Sequence, residues 1–482
     1  IFGGQQALAQ MFGVPKENVH VMSQFVGGAF GSKGGLWPHV PIAAVAAKVV
    51  QRPVKVVVTR KQLFFANGHR PETVQHVALG ANPDGKLVAL IHDGYSQSND
   101  VCDYSERFTR PTKAIYAAEN MKVVNPVVSL NLPSPTFMRA PGENPGMFAI
   151  ESAMDELAIA LKMDPVQLRL VNYADVSPEN GKPWSSKSLK ECYTQAAEKF
   201  GWSKRNAEPR SMRHGRDLIG WGMASATYPS HRSPASARAV MKPDGTVVVS
   251  SGTHEMGMGT ATVLAQLAAE TLGIPVERVR FEYGDTSLPN APISAGSMTV
   301  SSVGTAVFEV CSALKAKLAA LDGSEASVDS KPPQDEEYVG QAFGAHFVEV
   351  AIDEDLPVVR VQRIVSAFAG GRILNEKTAR SQHYGGIIQG IGMALLEETH
   401  LDKRFGSYTN VNFAEYMVPT NADIRTIDVL IVPEEDKHVN PIGAKGIGEI
   451  GIVGVAPAIA NAVFHATGKR VRDLPITIEK LM

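Results

Sequence analysis

The sequence predicts an α+β fold in which two related lobes face one ligand. Two observations carry that prediction. Helical and strand-like patterns alternate along the chain without the uniform strand–helix–strand rhythm of a parallel sheet. A supersecondary unit also occurs twice: Leu8-Ala9-Gln10-Met11-Phe12-Gly13-Val14-Pro15, then Asn18-Val19-His20-Val21, is echoed by Ala269-Glu270-Thr271-Leu272-Gly273-Ile274-Pro275, then Arg278-Val279-Arg280-Phe281. In each copy a helix ends at a glycine, where a left-handed backbone is free of steric cost, a proline prevents its continuation, and a short alternating segment reads as a strand. A glycine- and serine-rich loop follows both, at 27–35 and 284–302. Two copies with matching downstream loops point to paired lobes.

In chain order, the first helix is expected over 5–12 and a second over 42–50, where apolar residues recur at helical spacing. Residues 54–58 read as a short buried-type strand, and Asn82-Pro83-Asp84-Gly85 as a turn joining two strands. Helices follow at 146–161, 165–172 and 188–200, with Asp164 as a cap before a proline in the first helical position. The polar stretches 177–187 and 202–216 suggest a linker, so the lobes are expected at 1–175 and 217–482 with 176–216 between them. Strands resume at Leu218, Lys242-Pro243-Asp244-Gly245 is another turn, and 260–272 is a helix. Residues 322–337 read as a polar, loop-like insert, 349–367 as two strands, and 381–398 and 455–467 as helices.

Composition narrows the function. With 482 residues, 44% hydrophobic and 20% charged, the chain can bury a large core, and a net charge of -2 gives no electrostatic reason for binding nucleic acid or an anionic membrane. Its three cysteines, Cys102, Cys192 and Cys311, are too far apart in sequence for a CxxC pair or a four-cysteine iron–sulfur site, so any such cluster belongs on a partner. The apolar run 454–464 is short for a bilayer span and contains Pro457. The start lacks a charged-then-apolar signal pattern and enters a helix directly from Ile1, so the natural N-terminus is expected upstream.

Several segments have the chemistry of a binding site. The loop Gly27-Gly28-Ala29-Phe30-Gly31-Ser32-Lys33-Gly34-Gly35 has little side chain to keep its N–H groups from an anion or a flat cofactor; the plain alternative is a surface turn. Gly446-Ile447-Gly448-Glu449-Ile450-Gly451 matches GxGxxG but follows a polar loop rather than an apolar strand, so a nicotinamide site is rejected. Its unusual member is Glu449, a carboxylate among glycines and apolar residues, where desolvation would raise its pKa toward that of a usable base; the alternative is a solvated loop glutamate. Arg139 sits in the Pro/Gly-framed loop 135–142 and Arg107 beside Glu106, each either a guanidinium aimed at a polarised oxygen or an ordinary surface cation. Residues 252–259 place small residues before a helix start, as an anion site requires, whereas adjacent His254-Glu255 lacks zinc-ligand spacing. Gly296-Ser297-Met298-Thr299 offers hydroxyls and bare backbone ahead of another helix.

Taken in this order, and with Ala153-Met154-Asp155-Glu156-Leu157 after the Arg139 loop, Gln389-Gly390-Ile391-Gly392, and Gly443-Ala444-Lys445 before Gly446, these segments resemble the large subunit of the molybdenum hydroxylases. This is the xanthine dehydrogenase/aldehyde oxidase family, and the likeness is closest to the bacterial multi-subunit aldehyde oxidases. It spans residues 1–482, whereas the family's large subunit normally has a further N-terminal region. The resemblance implies two molybdopterin-binding lobes with mixed sheets and packed helices and the cofactor at their interface.

The same resemblance assigns roles. Glu449 matches the base that deprotonates the attacking, water-derived oxygen, and Arg107 a substrate-orienting arginine. Phe30, Arg139 and Gly296 match positions that surround the metal without ligating it, since the pterin dithiolene supplies the ligands. Gly28, Gly31, Gly257, Ser297, Thr299 and Gln389 resemble pterin and phosphate contacts, with Lys445 beside them. Gly34 stands where purine oxidisers have a glutamate, and no cysteine accompanies the Arg139 loop as it does in carbon monoxide oxidation. Oxidation of an aldehyde to a carboxylic acid is therefore the expected reaction, with hydroxylation of an N-heterocycle, or a non-catalytic cofactor-binding fragment, as alternatives. The cofactor implied is molybdenum-molybdopterin in its cytosine dinucleotide form, with iron–sulfur clusters and FAD on partner subunits. The location implied is cytoplasmic, or periplasmic through co-export with a partner.

Overall fold

The computed structural model describes residues 1–321, 323–334 and 336–482. Its centre is a five-stranded sheet with Thr426–Ile431, Val359–Ala369, Gln341–Asp353, Asp217–Pro229 and Arg213–His214 side by side, antiparallel except for the parallel first pair. Gln341–Asp353 and Asp217–Pro229 are buried along almost their whole length, which explains their continuous rather than alternating apolar runs. Helix Leu189–Phe200 packs on Gln341–Asp353 and Val359–Ala369, and helix Val455–Thr467 packs on Asp217–Pro229 and Gln341–Asp353.

The approach of this last helix is set by two small residues in the strand beneath it. A Cβ at Gly220 would lie 1.9 Å from the Ala462 carbonyl oxygen, and one at Gly222 would lie 2.2 Å from the Ala462 nitrogen. The helix is thus seated directly on strand backbone, which fixes the segment entering it, Glu449 included. Residues Ile450–Thr467 are apolar and long enough to cross a membrane by composition, but 94% of that window is buried inside the fold.

A fully buried ion pair joins the first part of the chain to this core. Glu151, on helix Glu143–Ala160, holds Arg169, on helix Pro165–Val171, at 2.8 Å. Tyr116 donates to Glu151 as well, and so does the Ser225 backbone N–H at 2.7 Å, which ties the pair to the central sheet. A second, smaller core lies between a four-stranded sheet and two helices: Glu325–Ser330, Ala235–Met241, Val247–Ser250 and Val279–Glu282, covered by Thr260–Leu272 and Thr305–Ala319.

The repeat is visible in the backbone. Helix Phe2–Phe12 ends at Gly13 with φ 62° and helix Thr260–Leu272 at Gly273 with φ 74°, and each is followed by a 3₁₀ turn, Lys16–Asn18 and Val276–Arg278. The copies then differ. Residues 279–282 form a strand, but 18–21 do not; instead the backbone around them bridges to the other copy through Met22 with Asp285 and Phe25 with Glu255. Two more expectations are corrected. Residues 54–58 form no strand, and Val57 is 73% exposed with no strand paired to it among the described residues. The insert at 322–337, of which Asp322 and Asp335 lie outside the described residues, contains the strand Glu325–Ser330, antiparallel to Ala235–Met241.

Candidate active site

A cavity of about 1200 Å³ opens where the two glycine loops, the Arg139 loop and the 443–449 loop converge. Glu449 holds the two sides together. Its Oε1 accepts the Ala140 backbone N–H at 3.2 Å, its Oε2 accepts the Ser297 hydroxyl at 2.9 Å, and the Tyr228 hydroxyl donates to the same carboxylate. Burial lifts its pKa above the usual carboxylate range, opposed by those three hydrogen bonds and by the Arg139 charge.

Arg139 is 5% exposed and is locked by backbone. Its Nε and Nη2 donate to the Gly448 carbonyl at 2.9 and 2.6 Å, Nη2 also donates to the Gln382 carbonyl at 2.9 Å, and its own N–H donates to the Phe30 carbonyl at 2.7 Å. Its guanidinium lies 5.9 Å from the Phe30 ring centre. Burial lowers its pKa to about 10, with Glu449 pulling the other way, so it stays a cation at neutral pH. The loop fits here because of Gly31: a Cβ there would lie 2.2 Å from the Phe137 carbonyl oxygen. Phe30, Ala140 and Ser297 all have positive φ, at 51°, 55° and 53°, a conformation non-glycine residues rarely adopt outside functional sites.

The expected site residues Gly28, Phe30, Gly31, Arg107, Arg139, Gly257, Gly296, Ser297, Thr299, Lys445 and Glu449 all line this cavity. Gln389 does not. It sits behind the wall with Oε1 3.5 Å from Arg139 Nη1, while Gln382 and Gly385, on the same face of helix Glu376–Leu395, reach the cavity. Lys445 also needs correction as a cofactor contact. Its ammonium is fully buried between Glu434 at 2.9 Å and Asp436 at 3.4 Å and donates to the Ser186 hydroxyl at 2.6 Å, so its charge is neutralised within the protein. The anion site expected at the start of helix Thr260–Leu272 already has an occupant, since the Glu255 carboxylate accepts the Gly257 and Gly259 N–H groups at 2.7 and 3.1 Å. Arg107 is exposed at the cavity edge with no side-chain partner among the described residues.

Four residues of the site escaped the sequence reading. Tyr228, at the end of strand Asp217–Pro229, is hidden in an apolar run. Arg110, three residues beyond Arg107, lines the cavity and pairs with the buried Glu143 at 3.3 Å. Phe137 and Tyr104 bring aromatic rings to the wall; only the flanking prolines hinted at a rigid loop there.

The wall suits a large, flat, polar cofactor. His254 Nδ1 and Thr260 Oγ1 are buried at the cavity without a hydrogen-bond partner among the described residues, and nothing stands within 4 Å of where a Cβ at Gly257 would be. Among the described residues no three His, Cys, Asp or Glu side chains cluster to hold a metal ion, so a bound metal would need ligands from a cofactor.

Comparison with known proteins agrees. The molybdopterin cofactor-binding domain matches residues 1–173, and a second such domain matches 195–337 and 324–425. The aldehyde oxidoreductase molybdenum-binding subunit PaoC of Escherichia coli O157:H7 is 38% identical over 98% of this chain and 69% of its own length. The putative xanthine dehydrogenase molybdenum-binding subunit XdhA of Escherichia coli K12 is 32% identical over 99% and 71%. In fold, the chain superposes on reconstituted CO dehydrogenase from Oligotropha carboxidovorans with a TM-score of 0.91 at 23% identity, over 99% of this chain and 69% of that one. It also superposes on the aldehyde oxidoreductase from Desulfovibrio gigas at 0.85 and 25%, over 99% and 56%. With both cofactor-binding domains present around a cavity of this form, the chain belongs to the molybdenum hydroxylases of the xanthine dehydrogenase/aldehyde oxidase type, as a molybdopterin-binding large subunit.

Proposed function

We propose that this enzyme oxidises an aldehyde to a carboxylic acid, with water as the oxygen source. The observation that carries the reading is Glu449, a desolvated carboxylate pinned between the Ala140 and Ser297 loops at the wall of the large cavity. Bound molybdopterin supplies the two-electron redox chemistry. Gly28, Gly31, Gly257, Ser297 and Thr299 would hold it, and Phe30, Arg139 and Gly296 would surround its metal end. Glu449 removes a proton from the attacking oxygen, a task for which burial, by raising its pKa, makes it a stronger base. Arg107, with its guanidinium free at the cavity edge, steadies negative charge developing on the substrate oxygen. The absence of a carboxylate at Gly34 supports an aldehyde over a purine.

The remaining assignments are part of the same proposal. The lobes are 1–175 and 217–482, joined by 176–216. The cofactor is the cytosine dinucleotide form, electrons leave to an iron–sulfur subunit and then to an FAD subunit, and the complex works in the cytoplasm. That PaoC and XdhA are molybdenum-binding subunits by name supports the partners.

Glu449→Gln tests the base. The new amide can point its oxygen at the Ala140 N–H and its NH₂ at the Ser297 hydroxyl, so the fold is kept. Benzaldehyde oxidation with a dye acceptor should fall about 10²- to 10⁴-fold at unchanged molybdenum content, and the rise of kcat with pH through the Glu449 pKa should vanish. Activity within tenfold of the unaltered enzyme would overturn the assignment.

A further inference from the structure

We propose that His346, buried in the central sheet and away from the cavity, is a positioning residue that holds the turn carrying Glu449 by donating to the Val453 carbonyl. This rests on the reading of Glu449 as the base and names the residue that keeps it in place. His346 is fully buried on strand Gln341–Asp353 and does not line the cavity. Its Nε2 lies 2.8 Å from the Val453 carbonyl oxygen. Its Nδ1 lies 2.7 Å from the hydroxyl of Ser366, the residue directly across from it on strand Val359–Ala369.

These contacts define the state of the ring. Burial pushes its pKa down to about 4, with the Val453 carbonyl pulling the other way, so the imidazole is neutral at pH 7 and has a single N–H. A carbonyl can only accept. The proton therefore sits on Nε2, and the Ser366 hydroxyl donates to Nδ1.

Val453 lies four residues beyond Glu449. The Ile452 N–H donates to the Glu449 carbonyl at 3.2 Å and the Val453 N–H to the Ile450 carbonyl at 3.0 Å, so 449–453 behaves as one 3₁₀ turn. Its other sides are closely packed. A Cβ at Gly386 would lie 2.5 Å from the Gly451 carbonyl carbon, and one at Gly454 would lie 2.3 Å from the Ser225 carbonyl oxygen and 3.1 Å from His346 Cδ2. The His346 ring also meets Phe368 edge-on at 5.4 Å, and Phe368 stacks at 4.0 Å on His383, next to the Gln382 carbonyl that holds Arg139.

Without the Nε2 donor the Val453 end of the turn is released, and the carboxylate at its other end drifts from the Ala140 N–H and the Ser297 hydroxyl. Those bonds favour the charged form, while the walls that desolvate it stay. The Glu449 pKa therefore rises further, and the base is misplaced.

Two amides separate this effect from a general loss of packing. His346→Gln returns a donor at the Nε2 place, whereas His346→Asn reaches Ser366 and stops short of Val453. Both are made in the holoenzyme complex. One readout is benzaldehyde turnover with a dye acceptor across pH. The other is an infrared carboxyl-stretch titration of Glu449, with Glu449→Gln as the blank, which needs no turnover. At equal molybdenum content, His346→Asn should lower kcat about 10- to 100-fold with KM within about twofold, and move the infrared midpoint to higher pH. His346→Gln should stay within about threefold in kcat and keep the wild-type midpoint. Equal behaviour of the two variants, in kcat or in the infrared midpoint, would overturn the positioning role. If Glu449→Gln keeps wild-type turnover, the base reading fails instead, and the infrared midpoints still decide whether His346 holds Glu449.

Discussion

Glu143 lies three residues beyond Ala140, whose N–H holds the proposed base Glu449, and should be a neutral acid near pH 7, which Glu143→Gln can expose. The residue is 1% exposed, with one carboxylate oxygen 3.3 Å from Arg110 and the other without a hydrogen-bond partner among the described residues. Burial lifts its pKa from 4.5 to about 8; Arg110 pulls against that lift, and the charges of Glu449 and Glu106 add to it. A folded-state pKa above the unfolded one means that the native chain retains a proton the unfolded chain gives up as pH climbs. The stability it contributes is complete below about pH 4.5 and is lost as pH rises through about 8. At roughly 1.4 kcal/mol per pH unit over that interval, the loss is on the order of 4 to 5 kcal/mol. Glutamine has the shape without the titration, so Glu143→Gln should remove this pH dependence. The assay is thermal unfolding of the holoenzyme complex, variant against wild type, at pH 5, 7 and 9. The variant's midpoint should gain on the wild type as pH increases. A midpoint difference that is flat across the range, or that turns against the variant at high pH, would refute the reasoning.

Lys445→Met should destabilise the protein by about 3 to 5 kcal/mol in denaturant unfolding, because it strands the buried Glu434 and Asp436 carboxylates without their cation; a loss below 1 kcal/mol would show that the cluster tolerates the missing charge. Arg107→Gln, at an exposed and unpartnered position, should leave the unfolding midpoint within about a degree while lowering kcat/KM for benzaldehyde roughly 100-fold, and an unaltered kcat/KM would remove Arg107 from the mechanism.

What could be read from the sequence was local. Gly13 and Gly273 mark helix ends because the left-handed backbone there favours glycine, and Asp164-Pro165 marks a helix start because the aspartate accepts the Val166 and Gln167 N–H groups. The turns at Gly85 and Gly245 were legible for the same reason. What failed depended on distant partners. The strand at Glu325–Ser330 looks like polar loop until Ala235–Met241 lies beside it, and the apolar residues 54–58 find no such neighbour. Lys445 in a glycine-rich loop reads as a free cation, yet Glu434 and Asp436 consume it. Tyr228 looks like one more core residue, and only the fold turns its hydroxyl to Glu449. Gln389 and Gln382 share one helical face, and the sequence gives no depth along that face, so it cannot show that Gln382 lines the cavity while Gln389 stands behind Arg139.

The partners of Glu449 also decide where the proton that the proposed function gives it would rest. A backbone amide can only donate, so the oxygen facing Ala140 must remain an acceptor through every cycle, whereas the Ser297 hydroxyl can swing round to receive. Under the proposed role of Glu449 the proton would therefore rest on Oε2, on the Ser297 side, and its uptake would reverse the polarity of that one hydrogen bond while the Ala140 side keeps its own unchanged.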